Sequence, residues 1–377
     1  MKTRSDSQLA ALSATLLVGL ILGGTEVRSQ LVPIPLDYQR VGNQIVLSWS
    51  NAAFSLQTSP TVHGTFTNLT GATSPYTNAL SGAQAYLQLA GANPPAGMAL
   101  IPAGSFTMGN TFNDGMSIER PLHTVYVSAF YMDRYLVTKA LWDTVKNWNG
   151  GDSYSYSNAG FGKAANHPVY HIDWYDAVKW CNARSQMEGL VPCYYTDTVH
   201  TAVYKTGQMA PYVNWTAGGY RLPTEAEWEK AARGGASAHR FPWSDVDTLS
   251  HSRANYQSEG PPWHPYDLSP TRGYHPTFND GVYPYTSPVG YFAANGYGLY
   301  DMAGNLFAWC WDWWADWYWK AEATQADTRG PTSGTYHVVR GGSWSYNGAA
   351  TTCSSRGNMG APTEASVHHG FRCVRGL

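Results

Sequence analysis

Residues 220–235 read YRLPTEAEWEKAARGG, and three short segments follow in fixed order: GLYDMAGNLFAWCWDWW at 298–314, VVRGGSW at 338–344 and GFRCVR at 370–375. The first segment predicts a helix with a sharp start. Thr224 and Glu227 form a capping box, in which each side chain serves a backbone N–H that the first turn leaves open. The helix runs to about Arg233 and stops at Gly234. Glu225, Glu227 and Glu229 invite an acid–base reading, but carboxylates in the first turns of a helix cap it and offset its macrodipole. The structural reading is the better one. The paired Gly341 and Gly342 permit positive φ or a close backbone approach.

The whole chain has 377 residues, enough for one large domain and a small one. A net charge of −2 gives no electrostatic case for nucleic acid or an anionic membrane. Sixteen Trp and 26 Tyr suit a core of short strands and loops, and also clefts for sugars or peptides; core packing accounts for most of them. Residues 1–29 read as a secretory signal: Lys2 and Arg4, an uncharged apolar run at 9–24, then Val27 and Ser29 before a cleavage point at Gln30. The run is short for a membrane span of about 20 residues, and an uncleaved anchor is the alternative. The expectation is a mature protein without a membrane span, secreted, periplasmic or at the cell surface. Five cysteines follow, and no CxxC that would suggest zinc. Their pairing cannot be read from spacing.

Residues 30–90 predict a small β module with strands around Ile45–Trp49, Phe54–Gln57, Thr65–Asn68 and Ala85–Leu89. It reads as a spacer or adhesion module. Residues 91–97 (GANPPAG) are a linker, and a large domain occupies 98–377. Thr138 caps a short helix there. Asp173 caps a second, Asp176 adds a favourable first-turn charge, and Gly189 ends it. Residues 236–337 are rich in Pro, Gly, Tyr and Asn without periodicity, which predicts a segment held by ions, disulfides or function. Few helices, short strands and much irregular backbone make the class α+β.

Together with MALIPAGSFTMGN at 98–110, His167-Pro168-Val169 and the block from Asp173 to Cys181, the four segments resemble the formylglycine-generating enzyme, or sulfatase-modifying factor, family. The resemblance covers residues 98–375 and implies an elaborated relative of the C-type lectin fold. Members of known activity oxidise a sulfatase cysteine to formylglycine with dioxygen and one copper ion held between two cysteine thiolates. Soft thiolates suit Cu(I). The first of those cysteines lies three residues after the GGS turn, where this chain has Tyr346; the second falls where it reads Asn347-Gly348-Ala349-Ala350. No cysteine stands between Gly342 and Cys353, so the expectation is no copper site of the family's kind. Cys353 resembles a structural cysteine ahead of Arg356. An iron-using subfamily carries three histidines on a helical domain that has no counterpart here. The adjacent His368 and His369 should point apart, which favours an exposed or cleft-lining histidine over a metal pair.

The resemblance also implies calcium. One set is Asn255, Tyr256, Asp280 and Val282; a second is Asp301 with carbonyls of Gly304 and Leu306, weakened because its closing carboxylate is Ala308 here. It supports a Cys181–Cys373 disulfide, stabilising by roughly 4–5 kcal/mol in the loop-entropy model. Cys310 and Cys353 could pair, leaving Cys193 free, or form a relocated thiol site for copper. The cleft is expected to be lined by Trp309, Trp311, Trp344, Tyr346 and Arg356. Two functions follow: a calcium-stabilised protein that binds an extracellular peptide, protein or glycan without oxidising it, or a sulfatase-modifying oxidoreductase, or another oxygen- or metal-dependent modifying enzyme, with a relocated site.

Overall fold

The computed structural model describes residues 37–377 except 42–43, 49–53, 60–66, 80–85, 92–93, 113, 149–153, 317–319 and 357–358. The expected signal segment lies outside the described residues, as do Trp49, Thr65, Phe66 and Ala85 from the expected strands. The chain divides into two compact units at residues 92 and 93, within the expected 91–97 linker. Among the described residues no helix is long and apolar enough to cross a membrane.

The first unit holds β1 (Asp37–Val41), β2 (Gln44–Ser48), β3 (Phe54–Ser59), β4 (Thr67–Asn68), β5 (Tyr76–Ala79) and β6 (Tyr86–Gly91). They form two antiparallel three-stranded sheets in the orders β1-β2-β5 and β4-β3-β6. Leu47 and Leu56 are buried, as one face of an alternating strand should be.

The second unit opens with β7 (Met98–Ile101), β8 (Gly104–Met108), β9 (His123–Val127) and β10 (Phe130–Asp133). Then come α1 (Lys139–Lys146), α2 (Trp174–Met187), β11 (Tyr194–Tyr195), β12 (Tyr212–Val213), β13 (Tyr220–Arg221) and α3 (Glu225–Ala232). It closes with β14 (Phe307–Trp313), β15 (His337–Arg340), β16 (Met359–Gly360), β17 (His369–Gly370) and β18 (Val374–Arg375). One sheet runs β13-β18-β10-β7 and a second β16-β15-β14-β17, in which only β14 and β17 are parallel. Among the described residues, this mixture of short strands and three α-helices is α+β.

Each helix starts where its cap predicts. Thr138 Oγ1 accepts from Leu141 N at 3.1 Å and Asp173 Oδ1 from Asp176 N at 2.7 Å. Thr224 Oγ1 and Glu227 complete their reciprocal box at 3.2 and 2.8 Å. Gly189, at φ +71°, follows the end of α2. Asp176 does more than charge the first turn: it accepts from Ser157 N at 2.8 Å and Asn158 N at 3.0 Å, anchoring the preceding loop.

The glutamates of α3 are buried counter-ions as well as caps. Glu229 is fully buried, meets Arg233 Nη2 at 2.6 Å and Arg340 Nη2 at 2.5 Å, and accepts from Gly109 N at 2.9 Å. Burial opposes its ionisation, but the two guanidiniums win and hold its carboxyl below the usual range. Glu225 takes Arg356 in a bidentate pair at 3.0 and 2.9 Å. This network ties α3 to the last third of the chain.

The irregular segment is ordered partly by an internal anion. Asp267, fully buried, accepts from Tyr256 Oη at 2.5 Å, Ser258 Oγ at 2.7 Å and the N–H groups of Glu259, Gly260 and Ser269 at 3.1, 3.1 and 3.2 Å. Around it Phe241, Leu249, Ala254, Tyr256 and Ala303 form a satellite core.

Candidate functional site

The site is built on the turn after β15. Gly341 and Gly342 have φ of +97° and +83°. A Cβ on Gly341 would meet Trp228 Cζ2 at 2.9 Å, and one on Gly342 would meet Thr351 Cγ2 at 2.7 Å, so backbone conformation and space both require glycine. The GLYDMAGN segment clasps the turn: Gly304 N donates to Gly341 O at 2.7 Å and Trp344 N to Asn305 O at 2.9 Å.

Trp344, 1% exposed, is the floor. Four rings stand around it: Tyr274 at 5.5 Å, Tyr283 at 5.1 Å, Tyr285 at 5.3 Å and His368 at 5.3 Å between centroids. Tyr346 meets His368 at 5.4 Å and Phe307 at 4.8 Å. Tyr283 and Tyr346 are 58% and 37% exposed, so the rim is open to solvent while the floor is not. His368 Nδ1 lies 3.2 Å from both Ser343 Oγ and Ser345 Oγ. Burial holds its imidazole below the usual histidine range, so near neutral pH it is an uncharged hydrogen-bonding group. The arrangement offers aromatic faces, two hydroxyls and one imidazole.

Of the expected cleft residues, Tyr346 reaches solvent and Trp344 forms the base. Trp309 does not line it: the ring is fully buried against His369 at 4.7 Å, because β14 directs it into the core. Arg356 is fully buried on Glu225 and is scaffold. Trp311 belongs to a separate cluster with Trp174, Tyr194 and Trp215, at 5.4, 5.7 and 5.6 Å. His368 and His369 do point apart, one to the cleft and one to the core. The rings that sequence reasoning missed are Tyr274, Tyr283 and Tyr285. No local periodicity marked them, since residues 274–285 are turns, bends and irregular backbone.

The donors at the turn are oxygen and nitrogen, and do not fit a two-thiolate cradle for Cu(I). Cys310 and Cys353 sit in the main apolar core. Burial pushes the Cys353 thiol up to about 12 and the Cys310 thiol well above its ordinary value, which keeps both protonated and poor as ligands. Cys193 is likewise buried and raised to about 12. Cys181 and Cys373 are brought together, with their sulfurs 3.5 Å apart.

For calcium the two expected sets differ. Asp280 Oδ1 accepts from Lys163 Nζ at 2.6 Å, and the Val282 carbonyl accepts from the same ammonium at 3.0 Å. The Tyr256 carbonyl lies 3.2 Å from His251 Nε2, while Asn255 Oδ1 is buried without a hydrogen-bond partner. Two of the four oxygens of the first set are thus occupied by an ammonium, which excludes a metal ion on them, while Asn255 Oδ1 is the one oxygen of the set left open to a cation. In the second, Asp301 Oδ2 accepts from Gly290 N at 2.8 Å and Oδ1 is buried without a partner. Burial pushes its carboxyl up to about 6 against the pull of the Gly290 amide and Arg372. A buried oxygen lacking a donor suits a cation, though a single carboxylate makes a weak site.

The family model for the sulfatase-modifying factor enzyme 1-like domain matches residues 84–377. The formylglycine-generating enzyme of Thermomonospora curvata is 35% identical over 303 residues, covering 74% of this chain and 93% of that protein. A chaperone protein LppX from Paenibacillus barcinonensis is 34% identical over 230 residues, covering 57% and 71%. Among solved structures, Treponema denticola variable protein 1 superposes with a TM-score of 0.57 at 28% identity, covering 74% of this chain and 95% of that one. The second unit thus has the formylglycine-generating-enzyme-like, C-type-lectin-like fold. The chain belongs to the sulfatase-modifying factor, formylglycine-generating enzyme-like family.

Proposed function

We propose that this protein is an exported, ligand-binding member of its family that does not carry out copper-dependent oxidation of cysteine. Its partner is an extracellular peptide, protein or glycan, held on the rings around Trp344. The observation that carries the reading is the composition of that site: Tyr274, Tyr283, Tyr285, Tyr346 and His368 at a turn whose other side chains are hydroxyls. Aromatic faces stack on sugar rings and proline, and hydroxyls with a neutral imidazole orient a polar ligand. The likeness to a relative named a chaperone supports a protein partner. Calcium belongs to the proposal at Asp301, aided by the Gly304 and Leu306 carbonyls, as a weak stabilising ion. The N-terminal β module serves as a spacer or adhesion unit.

A second reading is favoured by one observation, the 35% identity spanning 93% of a formylglycine-generating enzyme. On that reading the protein modifies a sulfatase, through a relocated site.

Glycan and peptide arrays probed with the full mature chain and with Tyr283→Ala separate the two. The proposal expects bound spots that the variant loses, and no chemical change in the bound peptide. Conversion of an arrayed cysteine to an aldehyde contradicts it.

A further inference from the structure

The loop carrying Asp280 holds a cation of the protein's own. Lys163 Nζ lies 2.6 Å from Asp280 Oδ1 and 3.0 Å from the Val282 carbonyl, two of the four oxygens that the family resemblance gives to calcium. Asp280 Oδ1 also accepts from Val282 N at 3.1 Å, which closes the loop on itself. The lysine arrives from 117 residues earlier, on a stiff support. Phe161 and Tyr170 exchange backbone hydrogen bonds at 2.9 and 2.8 Å, and Trp142 Nε1 donates to Ala159 O at 3.0 Å just before it. The Lys163 side chain is 15% exposed, so its stem is packed and its head delivered to the two oxygens.

An ammonium on those oxygens and a calcium ion on the same oxygens exclude each other, since a calcium ion needs them at 2.3–2.6 Å and repels a positive charge beside it. We infer that Lys163 replaces the metal ion at this loop, as a cation tethered to the chain that orders residues 280–285 without calcium. The consequence reaches the cleft. The ammonium stands 5.9 Å from the Tyr285 ring, which meets Trp344 at a steep angle 5.3 Å away, and Tyr283 follows Val282 directly. The inference concerns the metal and the loop, and stands whether or not the cleft binds a ligand.

Thermal unfolding of the full chain tests it, first in EDTA and then with added calcium chloride. Any calcium response of the wild type, for instance through Asp301, should persist in Asp280→Asn. Lys163→Met should lower the midpoint in EDTA by about 1–3 °C, the scale of one partly exposed pair in a protein of this size. Calcium should restore the lost degrees in Lys163→Met and fail to do so in Lys163→Met with Asp280→Asn. Lys163→Arg should behave as the wild type. A wild-type calcium response that Asp280→Asn abolishes overturns the inference, and so does a Lys163→Met protein that calcium leaves unchanged. Should Lys163→Met not fold, the wild-type and Asp280→Asn pair decides alone.

Discussion

Three residues separate Arg340 from Trp344, and the two side chains face different environments. Arg340 turns inward, fully buried, onto Glu229 and the Cys353 and Ser354 carbonyls at 2.5, 2.8 and 3.1 Å. Trp344 backs an open cleft whose rim is Tyr283 and Tyr346. The inward side is held by charges that cannot be removed singly. The outward side is held by ring contacts that can be trimmed one at a time. The most recognisable residues of this chain therefore build the frame, and the residues able to meet a ligand are the less conspicuous tyrosines.

The sharpest way to break that contrast is Glu229→Ala. It leaves Arg233 and Arg340 buried without their carboxylate, which should cost about 3–5 kcal/mol in denaturant unfolding. A loss below about 1 kcal/mol would mean the inward side is no stiffer than the outward one. Next comes the Cys181–Cys373 contact. On export we expect it to oxidise to a disulfide closing a span of 192 residues in the second unit. Reduction, or Cys373→Ser, should then lower stability by about 2–5 kcal/mol. Mass analysis showing five free thiols in the exported protein would count against it.

Acid should loosen the inward side before the cleft. Burial pushes the imidazoles of His337 and His369 down to about 3. With folded values below the ordinary histidine value of about 6.5, these groups stabilise the fold above that pH, and the contribution is lost as pH falls from 6.5 towards 3. Asp301 works in the opposite sense: its carboxyl, raised to about 6, contributes below the ordinary value and loses that contribution as pH rises through 6. Asp312, buried and held well above the ordinary carboxyl range, works in the same sense as Asp301, so the histidine contribution is read by difference. Relative to the wild type, His337→Gln should lose about 1 kcal/mol of the stability difference between pH 7 and 5.5. A variant whose profile runs parallel to the wild type would contradict the burial of this ring.

The smallest change in stability belongs to Tyr283→Ala. Its ring is mostly exposed, and the loss should stay within about 1 kcal/mol. Its effect on ligand affinity should reach about tenfold, the scale of one aromatic stacking contact. Large effects on both quantities would place Tyr283 in the frame.

The frame was largely legible in the sequence. Caps at Thr138, Asp173 and Thr224 are local chemistry, and the GGS turn announces its own backbone. The site was legible only in part. Trp309 and Trp344 both sit in tryptophan-rich motifs, and no local pattern says that β14 turns one ring inward while the other floors a cleft. Arg356 looked free because its partner Glu225 is 131 residues away. The calcium set looked complete because nothing near Asp280 in sequence announces Lys163. In each case the deciding partner is distant along the chain, and only the tertiary structure brings it in.

The central claim is that the turn at Ser343 to Tyr346 recognises a ligand and does not oxidise one. The most direct test incubates the purified mature protein with Cu(I), dioxygen and a cysteine peptide of the sulfatase type, and follows the peptide by mass spectrometry. The account predicts a peptide of unchanged mass and no tightly held stoichiometric copper. Appearance of the aldehyde product, dependent on copper and on this protein, would contradict it.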